Sequence, residues 1–262
     1  MMRTIATVLT LSAFALLARP AEAKLKTEEV EYKDGDTVLQ GYFAYDDAKK
    51  GKRPVVLVVH EWWGHGPYVR MRADELAKEG YLAFAVDMYG KGVYAKTHEE
   101  AGKLSGALRG DRKAMRQRIT AGLERAKQHP MADASRVAAT GYCFGGTTVI
   151  ELARSGADLK AVASFHGGLD SPTPADGKNI RASVYAFHGA NDGFEKPEDL
   201  AAFEKEMRDS NVDWLLVKFG GAVHSFTVKE AGNDPKSGMA YNEKADKRSH
   251  AMMRALFAEA LK

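Results

Sequence analysis

The chain has a single cysteine, Cys143, among its 262 residues. One cysteine cannot form an intrachain disulfide, and the Cys-x-x-Cys pair of a dithiol redox protein is absent. With 45% hydrophobic and 28% charged residues, the sequence can bury one sizeable core. No Pro/Gly-rich stretch, low-complexity segment or internal repeat divides it. The sequence therefore predicts one domain, whose lone thiol is either a buried small side chain or a reactive group.

A hydrophobic run long enough to span a membrane is also missing. The apolar run from Thr4 to Ala18 holds about 15 residues, whereas a spanning helix needs about 20. It follows Arg3 and precedes Ala21-Glu22-Ala23, a small-residue cleavage pattern typical of an export signal. We expect residues 1–23 to be a cleaved signal peptide, so that the mature domain of residues 24–262 is exported and is periplasmic or secreted.

Neither sign of charge predominates in the sequence. The formal net charge is +3, and loss of Arg3, Arg19 and Glu22 with the signal would lower it to +2. This near-neutral balance lacks the basic excess typical of nucleic-acid-binding proteins and predicts no membrane partner after signal cleavage. We expect a monomer whose partner is a small molecule.

From Pro54 onward, short apolar runs alternate with longer amphipathic segments. This alternation is typical of strands that are buried on both faces and joined by crossover helices. Before it, Glu28 to Lys33 and Thr37 to Tyr45 flank the turn sequence Asp34-Gly35-Asp36, which predicts an antiparallel hairpin. The predicted fold class is α/β, with a mostly parallel central sheet and helices on both faces. The predicted buried strands are Val55 to Val59, Tyr81 to Val86, Arg136 to Thr140, Ala161 to Phe165, Ser183 to Phe187 and Trp214 to Phe219.

Four helices have recognisable ends. Pro67 suits a first helical turn and Gly80 a helix end, and Thr97 has capping-box spacing to Glu100. The remaining two predicted helices are Asp111 to Gln128, which the His129-Pro130 step ends, and Glu243 to Leu261. The basic residues of the third helix are interleaved with apolar positions, which predicts an ordinary solvated face.

The segment from Gly141 to Gly146 follows a predicted strand and precedes the apolar helical stretch Thr147 to Ala153. A nucleophile elbow requires this strand-turn-helix context, with small flanking residues that allow the backbones to approach. Such a turn would place the Cys143 thiol at a helix N-terminus, where the dipole favours the thiolate. Cysteine replaces the serine that more commonly occupies this position, and we predict that Cys143 is the nucleophile.

Two residues complete a possible triad in the chain order nucleophile, acid, base. Asp192 lies in a turn-rich loop after the predicted strand that ends at Phe187, and His224 follows the strand that ends at Phe219. Imidazole titrates near neutral pH and can carry the thiol proton to a leaving group. We therefore predict His224 as the base and Asp192 as the acid that orients it. The alternatives are an ordinary loop aspartate and a surface histidine.

The loop from His60 to Gly66 follows the first buried strand, where this strand arrangement places a second oxyanion donor. We predict that the backbone amides of Trp62 and Phe144 bind the oxyanion of an acyl intermediate. The side chains of Trp63, Tyr89 and Phe226 are candidate walls of the substrate pocket, although aromatic residues are as often plain packing.

No metal or cofactor is expected. His60 and His65 are five residues apart, unlike the four-residue spacing of a helical His-Glu-x-x-His zinc motif, and Trp62-Trp63-Gly64 between them reads as loop. Histidines at these positions, with His166 and His188, are interpreted as residues of strand ends or of the pocket.

The chain resembles the dienelactone hydrolase family of the α/β-hydrolase superfamily. The resemblance rests on the cysteine elbow, the His60-Glu61-Trp62-Trp63-Gly64 loop, Asp87-Met88-Tyr89-Gly90, the Asp192 loop and His224-Ser225-Phe226. It implies an α/β-hydrolase fold, a Cys143, Asp192 and His224 triad, and a role for Glu61 beside the thiol in controlling its ionisation. The alternative interpretation is that Glu61 is an ordinary carboxylate, either solvated or paired with an arginine such as Arg72.

The resemblance also implies which basic groups would hold a substrate carboxylate. Lys91 occupies one such position, but Val228 stands where members that act on dienelactone carry a second basic side chain. Dienelactone itself is therefore not the expected substrate. Because a thiolate competes with the substrate's leaving group, we expect hydrolysis of small activated esters and lactones through an acyl-thioester. The competing hypotheses are a non-catalytic small-molecule-binding protein on a hydrolase scaffold and a single-thiol redox protein.

Overall fold

The computed structural model describes residues 24–262, so the predicted signal peptide at residues 1–23 lies outside the described residues. An eight-stranded sheet forms the centre, in the spatial order β1-β2-β4-β3-β5-β6-β7-β8. The strands are β1 (Leu25–Asp34), β2 (Thr37–Asp46), β3 (Arg53–Val59), β4 (Leu82–Val86), β5 (Ala132–Tyr142), β6 (Ala161–Phe165), β7 (Ser183–Gly189) and β8 (Trp214–Phe219). The helices are α1 (Pro67–Glu79), α2 (His98–Gly110), α3 (Arg112–Lys127), α4 (Phe144–Arg154), α5 (Pro197–Asp209) and α6 (Glu243–Ala260).

The sheet is parallel from β4 to β8 and antiparallel at its first edge. Strands β1 and β2 form a hairpin that pairs Asp34 with Thr37, and β2 continues antiparallel onto β4. The remaining neighbours, β4/β3, β3/β5, β5/β6, β6/β7 and β7/β8, are all parallel. The predicted α/β fold with an N-terminal hairpin is confirmed.

Two hydrophobic cores cover the two faces of the sheet. Along β3, Leu57 packs with helices α3, α4 and α5, while its neighbours Val56 and Val58 pack with α1 and α6. Successive strand residues point to opposite faces, so a strand that is apolar at every position must be covered on both. This is why the continuous apolar runs of the sequence correspond to the central strands.

The helix ends follow the local chemistry that the sequence indicates. Pro67 opens α1 and Gly80 ends it in a left-handed conformation with φ 105°. The Thr97 hydroxyl accepts the Glu100 amide at 3.2 Å, although the Glu100 carboxylate accepts from the amide of Lys96 rather than from that of Thr97.

Strand β5 is longer than the sequence indicates. Its first residues, including Asp133 and Ser135, are polar, but Ala132 and Asp133 pair with Arg53 and Pro54 before a register shift at Pro54/Val55. Backbone pairing alone extends the strand there, so no apolar pattern marks it. Within residues 24–262, no helix has the length and apolarity needed to cross a membrane.

Candidate active site

Cys143 forms a strained turn between β5 and α4. It has φ 53° and ψ −116°, a conformation that a non-glycine residue adopts only when its surroundings impose it. Its amide donates to the Phe165 carbonyl at 2.9 Å, and its carbonyl accepts the Gly146 amide at 2.9 Å. The thiol therefore sits at the N-terminus of α4, where the helix dipole and free amides stabilise a thiolate.

The turn depends on two glycines. A Cβ on Gly141 would overlap the Gly145 carbonyl, and a Cβ on Gly145 would overlap the Val59 carbonyl. Both overlaps involve backbone atoms, which cannot move aside as a flexible side chain can. The close approach of β3, β5 and α4 at Cys143 is therefore possible only with glycine at both positions.

Asp192 and His224 are hydrogen-bonded at the carboxyl ends of neighbouring strands. Asp192 follows β7 and His224 follows β8, and Asp192 Oδ2 lies 2.8 Å from His224 Nδ1. The second carboxylate oxygen accepts the Phe194 amide at 2.9 Å. Burial alone would raise the pKa of Asp192, but the hydrogen bond and charge of His224 hold that pKa below its ordinary value. The carboxylate therefore stays ionised and fixes the ring with Nε2 free.

The His224 ring is nearly enclosed, with a side chain that is 9% exposed. Burial alone would lower its pKa, but the negative charge of Cys143 and the hydrogen bond to Asp192 outweigh burial and raise the pKa to about 10. The arrangement thus favours the protonated imidazolium form of His224.

A cavity of about 300 Å³ joins the thiol and the imidazole. Such a volume suits a small acyl or aryl group better than a polymer. Its lining is Trp62, Gly102, Ser105, Gly106, Arg109, Cys143, Phe144, Phe194, Glu195, His224 and Met239. A larger open groove of about 600 Å³ runs beside α3, but no residue of the triad lines it.

A buried histidine links the nucleophile turn to the loop of the base. His166 Nδ1 accepts the Cys143 amide at 3.1 Å, and its Nε2 lies 2.8 Å from Thr227 Oγ1 in the loop after His224. Burial and neighbouring cations hold the pKa of His166 well below its ordinary value, so the ring is neutral. With Nδ1 accepting, the proton is on Nε2, and one imidazole fixes both segments.

Glu61 is buried at the end of β3. Burial raises the pKa of its carboxyl to about 7, although His224 and the Ser225 hydroxyl oppose that rise. Arg72 does not pair with it, because the guanidinium forms ion pairs with Glu75 and Asp246. The alternative interpretation of Glu61 as a solvated or arginine-paired carboxylate is therefore wrong.

The two predicted oxyanion donors come from the start of α4 and from the turn after β3. Phe144 is the first residue of α4, so its amide has no acceptor within the helix. Trp62 lies in the turn after β3 and lines the cavity, and its carbonyl accepts the Tyr89 hydroxyl at 3.1 Å. Tyr89 thus holds the Trp62 turn, and its ring packs on Phe144.

None of the four predicted pocket side chains lines the cavity, and Tyr89 instead holds the Trp62 turn. Lys91 is an exposed side chain that pairs with Glu31 on the hairpin, which corrects the expectation that it holds a substrate carboxylate. Phe226 is fully buried against His166 and Phe219. Trp63 packs on Trp62 and His98 and supports the cavity wall without lining it.

The cavity also contains polar residues that sequence reasoning missed. Arg109 comes from α2 and Glu195 from the loop before α5, and both line the cavity. Amphipathic spacing assigns Arg109 to an ordinary surface helix, and no motif marks Glu195. The only available signal was the position of Glu195 three residues beyond Asp192 in a loop predicted to be catalytic.

Two other histidines, His60 and His65, make hydrogen bonds to the backbone. His60 bonds to the Glu61 carbonyl and the Met88 amide, and His65 bonds to the Ala85 carbonyl. In the part of the chain from residue 24 onward, no group of three His, Cys, Asp or Glu side chains has an arrangement that could hold a metal ion.

Comparison with known proteins decides the family. The model of the dienelactone hydrolase family matches residues 39–261. The chain belongs to the dienelactone hydrolase family. A relative from Aquifex aeolicus (strain VF5), which bears the provisional name carboxymethylenebutenolidase, is 31% identical over 79% of this chain and 90% of its own.

Solved structures of dienelactone hydrolase type agree. A dienelactone hydrolase-like promiscuous phosphotriesterase from metagenomic libraries superposes with a TM-score of 0.87 at 39% identity, covering 91% of this chain and 99% of its own. The dienelactone hydrolase of Anabaena variabilis has the same fold, with a TM-score of 0.67 at 19% identity and coverage of 91% and 99%. This family membership makes the chain a hydrolase of carboxylic esters or lactones.

Proposed function

We propose that this dienelactone hydrolase family member cleaves small activated esters or lactones with Cys143 as nucleophile and an acyl-thioester intermediate. The observation that carries the proposal is the 2.8 Å contact of Asp192 with His224, whose ring shares one small cavity with the thiol of the strained elbow. A histidine that is hydrogen-bonded to a carboxylate in this way activates a neighbouring thiol without any external cofactor.

The proposed reaction has two halves. The Cys143 thiolate attacks the acyl carbon, while the amides of Trp62 and Phe144 bind the oxyanion. His224 then protonates the leaving oxygen, and the C–O bond breaks to give a thioester. Water, deprotonated by His224, attacks that thioester, and the thiolate leaves as the acid product forms.

The chemistry of the adduct sets the substrate class. A tetrahedral intermediate on sulfur expels whichever group is the weaker base, and an alkoxide is a stronger base than a thiolate. Enol, phenol and thiol leaving groups are therefore favoured over simple alkoxides. We expect phenyl acetate to be hydrolysed faster than ethyl acetate, and the reverse order would contradict the mechanism.

The first experiment compares the mature chain with Cys143→Ala on phenyl acetate, with mass spectrometry of the protein under turnover. We expect an acyl adduct on Cys143, and loss of both adduct and hydrolysis in the variant. Lys91→Ala, outside the cavity, should hydrolyse at the wild-type rate. Unchanged hydrolysis in Cys143→Ala would refute the thiol mechanism. Absence of turnover would favour a binding scaffold, and reversible sulfenate formation without turnover a redox protein.

Phosphotriesters are the second substrate class to test, because of the 39% identity to a promiscuous phosphotriesterase. Attack of the Cys143 thiolate on phosphorus with loss of a nitrophenolate would use the same cavity and oxyanion donors. Dependence of this activity on Cys143 would support one shared nucleophile.

We also propose that the chain is exported after cleavage before Lys24 and that it acts as a monomer. N-terminal sequencing of protein from the periplasm or the medium tests the first proposal. Light scattering of the mature protein tests the second.

A further inference from the structure

Two polar side chains outside the triad, Arg109 and Glu195, line the catalytic cavity, and Thr147 lies beside them. A Cβ placed on Gly168 would lie 2.9 Å from Glu195 Oε1, 3.1 Å from Thr147 Oγ1 and 3.2 Å from Arg109 Nη1. They come from the loop before α5, from α4 and from α2, respectively. Thr147 lies about one helical turn beyond Cys143, so this polar cluster is within reach of a small substrate bound to the thiol.

The Arg109 guanidinium has unused hydrogen-bond donors in this cluster. Its Nη2 makes one long hydrogen bond, 3.4 Å, to Thr147 Oγ1. Within residues 24–262 no carboxylate lies within 4.0 Å of it, whereas its neighbours Arg112 and Arg116 are paired with Asp170 and Asp176. A guanidinium that lines a cavity without a close counter-ion can bind an anionic or hydrogen-bond-accepting group of a ligand.

Glu195 contributes a carboxylate to the cavity lining, and its protonation can change near neutral pH. Burial raises its pKa to about 7, while the Leu169 amide, at 3.3 Å from Oε2, and Arg109 oppose the rise. Asp170 and Asp192 also raise it, and each of these carboxylates has a cation of its own, Arg112 and His224. Arg109 is therefore the cation that the charge of Glu195 balances.

We propose that Glu195 and Arg109 form a charge-selecting pair that decides whether the cavity accepts uncharged or carboxylate-bearing esters. When Glu195 is ionised, the pair is neutral overall and uncharged groups bind. When Glu195 is protonated, Arg109 is an uncompensated cation and a carboxylate is preferred. This inference rests on the proposed esterase function, because it concerns the substrate range of the same cavity.

The test is a ratio measured with matched substrates. One pair, 4-acetoxybenzoate and its methyl ester, carries the charge on the leaving group, and a second, monophenyl adipate and phenyl hexanoate, carries it on the acyl group. For each pair, kcat/KM of the anionic ester is divided by that of the neutral ester from about pH 5.5 to 8.5. A change of one charge a few ångströms away in a partly buried site is worth about tenfold.

In the wild type we expect the ratio of at least one pair to fall about tenfold as pH rises through about 7. Glu195→Gln should hold the high ratio at every pH, and Arg109→Met should give a low ratio at every pH. Glu198→Gln, an exposed glutamate three residues further on, is the matched control and should follow the wild type. Because each ratio is taken within one variant, a smaller folded fraction does not affect it.

A second measurement does not need turnover. The rates at which 4-(2-iodoacetamido)butanoate and its methyl ester alkylate Cys143, measured as loss of free thiol, give a second anionic-to-neutral ratio. If no ester is hydrolysed, the proposed function fails, and the alkylation ratio still tests the pair. A ratio whose pH dependence survives in Glu195→Gln, or that Arg109→Met leaves unchanged, in both measurements, would overturn the inference.

Discussion

Replacing Glu61 with glutamine should stabilise the fold at alkaline pH and leave its stability nearly unchanged at acid pH. The carboxyl is buried at the end of β3, and its pKa is raised from 4.5 to about 7. A group with a raised folded-state pKa contributes stability that is present below the unfolded-state pKa and is lost as pH rises through the folded-state value. The wild type therefore loses stability between pH 4.5 and about 7, and glutamine does not.

The size of the effect follows from the shift. Each pKa unit corresponds to about 1.36 kcal/mol, so a rise from 4.5 to about 7 amounts to about 3 kcal/mol. At about pH 8.5 the free energy of unfolding of Glu61→Gln should exceed that of the wild type by this amount. For a domain of this size, the gain raises Tm by roughly 6–12 °C.

The assay is urea unfolding of the wild type, Glu61→Gln and the exposed control Glu198→Gln across this pH range. The control should stay within about 0.5 kcal/mol of the wild type at every pH. We expect kcat/KM of Glu61→Gln to fall even as its stability rises, since a charge buried beside His224 costs stability for the sake of the site. If Glu61→Gln differs from the wild type equally at pH 4.5 and 8.5, ionisation of Glu61 is not the cause and the reasoning fails.

Three further substitutions test the site and its support. His166→Phe removes two hydrogen bonds, so we expect the free energy of unfolding to fall by about 2 kcal/mol and kcat/KM to fall by ~10–100-fold. His166→Asn should recover part of the activity, because its amide oxygen can accept the Cys143 amide. Wild-type kcat/KM in the phenylalanine variant would contradict a positioning role. Asp192→Asn should lower kcat/KM by ~10²–10⁴-fold at unchanged thermal stability, because the amide favours the wrong imidazole tautomer. Arg154→Met should cost about 3–5 kcal/mol in urea unfolding, since it leaves the buried Glu206 carboxylate unpaired; a loss below about 1 kcal/mol would show that water reaches it.

The order of strands and helices could be predicted because buried runs and end residues carry local information. The strands Ala161–Phe165 and Trp214–Phe219 have the bounds that their apolar content predicts, and α1 begins and ends at the predicted proline and glycine. The first residues of β5 could not be predicted, because Asp133 and Ser135 join the sheet through backbone pairing with β3 and have no apolar pattern.

The grouping of the triad residues could be predicted from chain order and strand ends, whereas the rest of the cavity could not. Arg109 lines the cavity only because α2 packs beside it, a tertiary placement that helical spacing does not encode. Lys91 shows the converse error, since the family resemblance implied a place in the site but its side chain pairs with Glu31 of the hairpin. The contact of His166 with Cys143 likewise depends on two strand ends meeting, which no motif indicates.

The glycines of the elbow restrict how this protein can evolve. Every codon one nucleotide away from a glycine codon, apart from stop and synonymous codons, encodes a residue with a Cβ, and at Gly141 or Gly145 that carbon overlaps backbone. Single mutations at these positions therefore lead to lost function and not to neutral drift. The cavity rim is under no such restriction, because Phe194 is 61% exposed. New substrate ranges should therefore arise by replacement of rim residues, while the nucleophile turn passes unaltered from ancestor to descendant.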